Sequence, residues 1–160
     1  MDVNEFWEHA RQGASLNPIQ EWIGPRVSGT VPPAAWAFGD DPATADKLAG
    51  EVANGTKTTT ASLLWQYEVE DAPLPEQGDL AIVLDGREQP RALIMTTEVK
   101  VTPFDQVDDE HAAGEGTSLA EWRRIHEDMA RAADDGGHPF SDDMPVVLER
   151  FELLYALRNH

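Results

Sequence analysis

The sequence predicts an α+β fold in which helices flank a small curled sheet, antiparallel or mixed. Three observations carry that expectation. Helix-start signals at Asp2, Asp41-Pro42 and Ser118 each open an amphipathic run. Apolar and β-branched runs at 80–84, 91–102 and 145–157 read as strands. The order of these pieces lacks the regular βαβα alternation of a parallel α/β protein. The 160 residues fit one domain with a core of its own.

Asp2 caps the first expected helix, with Glu5 at the capping-box position, Val3, Phe6, Trp7 and Ala10 on one face, and Gly13 at its end. Residues 15–41 hold Pro18, Pro25, Pro32 and Pro33 among Trp22, Trp36 and Phe38. They read as an ordered loop pinned by aromatics, with a short helical turn at Ile19 to Ile23. Asp41 and Pro42 then start a helix whose face is Ala45, Leu48, Ala49 and Val52, and Asn54-Gly55 end it.

From Thr58 to Val69 the threonines and aromatics favour strand, although 62–66 also fit a turn of helix. Leu80 to Leu84 and Arg91 to Thr102 form an expected hairpin across Asp85-Gly86. An acidic loop from Asp105 to Glu110 leads to His111. Ser118 and Glu121 make another capping box for a helix striped by Leu119, Trp122, Ile125 and Met129, fading by Asp134. Pro145 to Leu157 closes the chain as a core strand.

Composition narrows the function classes. Twelve Lys and Arg against 30 Asp and Glu give a net charge of -18, which repels polyanions and sets the chain against duplex DNA. Cysteine is absent, which removes disulfides, thiol nucleophiles and Cys-type zinc sites. No run of 18 apolar residues occurs and the N-terminus lacks a signal-peptide pattern, so the expectation is a cytoplasmic protein off the membrane. Phosphate-loop, Rossmann and nucleophile-elbow motifs are also missing. The oligomeric state stays open, a homodimer included.

Within this acidic chain, Gly55-Thr-Lys-Thr-Thr-Thr-Ala-Ser62 places a scarce cation, Lys57, beside hydroxyls at a helix-to-strand junction. A dry wall there lowers a lysine pKa toward that of a usable base, and a hydroxyl such as Thr60 beside it is an activated nucleophile. The same residues also fit a plain structural role, with Gly55 ending the helix, Lys57 solvated and the threonines starting a strand. His111 and Glu115 stand four apart among small residues, a spacing that fits either a helix start with a solvated face or a weak divalent-metal pair. Arg123 and His126 lie off the apolar stripe of their helix, toward a cleft or toward solvent, and Arg123 has the chemistry to hold a phosphate or carboxylate.

Taken together, the 55–62 segment, Gly78-Asp79, Thr97-Glu98-Val99, Pro103-Phe104, His111-Ala112, Glu115-Gly116, Trp122-Arg123 and His126 resemble the larger bacterial branch of the ASCH domain family. The resemblance implies a PUA-like β-barrel of about five to six strands flanked by helices. It divides the chain into an N-terminal helix and aromatic, Pro-rich lead-in at 1–42 and the ASCH domain at 43–160.

The resemblance also implies a cleft for RNA or a nucleoside. Small members that remove the acetyl group of N4-acetylcytidine use a lysine, a threonine and a glutamate, which match Lys57, Thr60 and Glu115. Many members carry arginine where this chain has Ser62. The expected activity is therefore that of a small hydrolase, an amidohydrolase of acylated cytidine-like nucleosides that needs no cofactor. Its substrate contacts are drawn from Thr58, Ser62, Trp65, Tyr67, His111, Arg123 and His126. One alternative is binding of short single-stranded RNA, or its cleavage with a divalent metal, through Lys57, Arg123 and a stacking Trp65 or Tyr67. A non-catalytic module that binds a nucleotide-like ligand is the other.

Overall fold

The computed structural model describes residues 1–13, 32–39 and 41–157. The expected helical turn at 19–23 falls outside them. Five strands form one sheet in the order β1-β3-β4-β5-β2: β1 (Ala34–Ala37), β2 (Thr59–Leu63), β3 (Leu80–Leu84), β4 (Pro90–Pro103) and β5 (Pro145–Ala156). β1 runs parallel to β3 and every other pairing is antiparallel. The sheet curls into a half-barrel, an α+β architecture. Register shifts in β4 between Leu93 and Ile94, and between Thr96 and Glu98, are the irregularities that let long strands bend.

Among the described residues five α-helices surround the sheet: α1 (Val3–Gly13), α2 (Pro42–Ala53), α3 (Leu64–Glu70), α4 (Asp109–Gly114) and α5 (Leu119–Ala133). The caps follow the expected chemistry. Asp2 Oδ1 accepts from Glu5 N at 2.8 Å, Asp41 Oδ1 from Thr44 N at 2.9 Å, and Ser118 Oγ from Glu121 N at 3.2 Å. Gly55, at φ 85°, continues beyond α2 in the left-handed region that glycine tolerates.

Helix α1 buries Phe6, Trp7 and Ala10 against Ile82 and Leu93. Helix α2 lays Ala49 and Val52 on Val83, Ala92, Ile94 and Phe151. Under α4 and α5, Phe104, Ala112, Trp122, Ala130, Val146 and Leu148 form another apolar cluster.

Several local expectations change. Ala34–Ala37 is a strand, not loop; all four residues are exposed, so burial leaves no alternation to read. Leu64–Glu70 is helical, and the strand before it stops at Leu63. The acidic 105–110 segment is a 3-10 turn (Phe104–Gln106) followed by the start of α4, where Asp108 caps the helix through His111 N at 2.9 Å. On α5 Trp122 is buried and Leu119 packs beside it as the stripe expects, but at the end of the helix Ala130 is buried in place of Met129, which is 52% exposed. No described helix is long and apolar enough to cross a membrane.

Candidate active site

The start of β2 and the end of α4 are clamped together. Thr58 N donates to Gly114 O at 2.8 Å, and Thr59 Oγ1 donates to His111 O at 2.9 Å. A Cβ added at Gly114 would lie 2.5 Å from Thr59 Oγ1, so only glycine permits this approach. The clamp brings Lys57 and Glu115, 58 positions apart in sequence, to 3.9 Å between Nζ and Oε1.

Lys57 is only 5% exposed. Its ammonium donates to Thr59 O at 2.8 Å and lies 5.0 Å from the centre of the Phe38 ring, a cation–π contact. Burial lowers its pKa, an effect that the charges of Glu115 and Glu51 offset only in part.

Glu115 is the hub. Its Oε2 accepts from His111 Nε2 and from Trp122 Nε1, each at 2.7 Å, and its Oε1 accepts from His126 Nε2 at 3.0 Å. Burial by itself would raise the carboxyl pKa. The hydrogen bonds from His111 and His126, with the electrostatic pull of His126 and Lys57, outweigh it and hold the group well below the ordinary carboxylate range. An ionised carboxylate only accepts, so both imidazoles present Nε2–H to it. The rings are braced in turn: His126 stacks on Trp122 at 4.2 Å, and His111 meets the same indole edge-on at 5.8 Å. Trp122 therefore does more than fill the core, because its indole N–H holds the hub.

A cavity of about 410 Å³ opens on a sheet face to which all five strands contribute. Trp36, Tyr67 and Phe151 supply aromatic walls, Pro73 to Pro75 form a rim, and Thr60, Thr96, Asp79 and Glu149 supply polar groups. Thr60 belongs to this cavity rather than to the hub. Its hydroxyl makes no hydrogen bond to a described residue, and neither Lys57 nor Glu115 is among the cavity's lining residues. Phe38 links the two regions: it carries the Lys57 ammonium, meets Trp36 edge-on at 4.7 Å and stacks on Phe151 at 6.4 Å.

The remaining candidates are dispersed. Ser62 Oγ and Tyr67 Oη share a hydrogen bond at 2.9 Å, and burial, with Glu149 and Glu70 nearby, raises the Tyr67 pKa despite that bond. The Trp65 ring stacks on His138 at 4.2 Å. Arg123 donates to Asp105 O at 3.4 Å on the exposed side of α5, and the Thr58 side chain is exposed. Among the described residues no group of three or more His, Asp or Glu side chains is placed to hold a metal ion. His111 and His126 direct their nitrogens at the carboxylate instead. Sequence reasoning missed Asp79, Thr96 and Glu149. Glu149, an acid inside the apolar run 145–157, was the available signal.

The model of the ASCH domain family matches residues 34–155. The chain belongs to the ASCH domain family. This ASCH domain is similar in structure to a protein from Enterococcus faecalis V583, with 30% identity, a TM-score of 0.74, and coverage of 90% of this chain and 87% of that one. It is likewise similar to an ASCH domain from Lactobacillus crispatus JV V101, with 29% identity, a TM-score of 0.74, and coverage of 91% and 94%. No curated protein matches the sequence. The family match begins at the first strand, β1, and ends within β5.

Proposed function

We propose that this ASCH domain is a small hydrolase that removes an acyl group from the exocyclic amine of a cytidine-like nucleoside. The observation that carries the reading is the Lys57–Glu115 pair: a buried amine of lowered pKa beside a carboxylate whose other acceptor positions are filled by His111, His126 and Trp122. A lowered pKa makes the amine a better base near neutral pH. Glu115, strongly favoured as the anion, suits electrostatic anchoring of that amine better than proton shuttling.

In this reading the substrate sits in the aromatic cavity, with its acyl group directed past Phe38 toward Lys57. Neutral Lys57 takes a proton from a water molecule, whose oxygen attacks the acyl carbon. The C–N bond breaks and the departing amine takes the proton. Attack by water releases the carboxylic acid directly, with Thr60 in the cavity wall as a contact for the substrate. Ser62, paired with Tyr67, cannot offer the charge of the arginine that many members carry at its position, so the carbonyl must be polarised by other groups.

The RNA reading has less support. Lys57 is enclosed, one face of Trp65 is covered by His138, and Arg123 lies on the outer side of α5. The decisive assay follows acetate release from N4-acetylcytidine alongside cleavage of a single-stranded oligonucleotide, with and without chelator. Acetate release that disappears in Lys57→Ala is the expected outcome. Unchanged turnover in that variant would remove the lysine from the mechanism, and chelator-sensitive RNA cleavage without acetate release would replace the reading.

A further inference from the structure

The aromatic cavity has a charge character of its own. Among the described residues its lining contains no Lys, Arg or His, yet it includes two acids, Asp79 and Glu149. Glu149 is half-buried, and its only side-chain hydrogen bond to a described residue is a long one, 3.4 Å from Thr96 Oγ1. Most of its acceptor capacity therefore stays open, unlike that of Glu115. Trp36, 37% exposed on β1, and Phe151 on β5 give the same space flat apolar surface.

Aromatic walls with uncommitted carboxylate acceptors suit a planar ring that carries N–H donors. A phosphate would enter a region of like charge with no cation among the described lining residues to receive it, and the net charge of -18 adds to that penalty. The field acts on the cavity's own groups as well: burial, and then the charge of Asp79, raise the Glu149 pKa.

Resting on the reading above for the cavity as the seat of the substrate, we propose that Glu149, with Asp79, is a specificity-determining residue that accepts N–H donors of an unphosphorylated nucleoside and rejects the corresponding nucleotide. Selection thus occurs at a carboxylate on β5, separate from the Lys57–Glu115 pair.

The test is calorimetric titration of the full chain with cytidine and with cytidine 5′-monophosphate at matched ionic strength. Cytidine has no acyl group, so the result does not depend on whether hydrolysis occurs. Wild type is expected to bind cytidine at least about tenfold more tightly than the monophosphate. Glu149→Gln keeps an acceptor but loses the charge, so cytidine affinity should stay within about twofold while discrimination falls at least about threefold. Glu149→Leu removes the acceptor and should weaken cytidine about tenfold. Thermal melts of both variants verify that the fold persists. Equal affinity of wild type for the two ligands, tighter binding of the monophosphate, or no cytidine binding overturns the proposal. Loss of the hydrolase reading alone, with wild type releasing no acetate from N4-acetylcytidine, leaves these titrations standing.

Discussion

The Glu115 hub and the aromatic cavity differ in how fully their acids are satisfied. Glu115 accepts three hydrogen bonds and faces an ammonium, whereas Glu149 has one long bond and a second acid for a neighbour. Burial opposes ionisation at both, yet the pKa is driven down at Glu115 and up at Glu149. A filled coordination shell fixes a charge in place. An open one leaves acceptors for something else to use.

Breaking the hub should have the largest effect. Glu115→Ala leaves Lys57 buried without its counter-charge and frees three donors, so a loss of about 3 to 5 kcal/mol is expected in the unfolding free energy from urea denaturation. Gly114→Ala pushes a methyl group into Thr59 and separates the two halves of the clamp, for about 1 to 3 kcal/mol on the same measurement.

The pH dependence of stability sharpens the contrast. Because the folded pKa of Glu115 lies below its ordinary value of 4.5, the unfolded chain binds the proton more readily. The contribution of Glu115 is therefore fully present above that value and is lost as pH falls below it. Denaturation midpoints of wild type should drop more steeply below that point than those of Glu115→Gln. Glu149→Gln is the smallest expected change and has the opposite sign. Replacing a carboxylate whose ionisation the fold disfavours should raise the midpoint slightly at neutral pH, and a clear fall would contradict the comparison.

Local chemistry made much of the fold legible. The caps at Asp2, Asp41 and Ser118 are written in short-range spacing, as are the apolar runs of β3, β4 and β5. β1 was hidden because its pairing with β3 is made by the backbone and its side chains stay exposed. At the site, the i, i+4 spacing of His111 and Glu115 was visible, but its purpose was not, since Trp122 and His126 arrive across the Gly116–Ser118 break. The Lys57–Glu115 contact came from the family resemblance, because no periodicity links residues so far apart. Thr59 and Thr60 illustrate a finer limit: adjacent strand residues face opposite ways, so one hydroxyl serves the α4 clamp and the other the cavity.

β2 is also the outer strand on its side of the sheet, and such strands invite another chain to continue the ladder. The Thr59 carbonyl, one of the groups an incoming strand would need, is already held by Lys57 Nζ. A lysine at a sheet edge is a recognised defence against self-association. Lys57 thereby also occupies a backbone acceptor at the rim of the sheet, and its removal would leave that carbonyl open to an incoming strand.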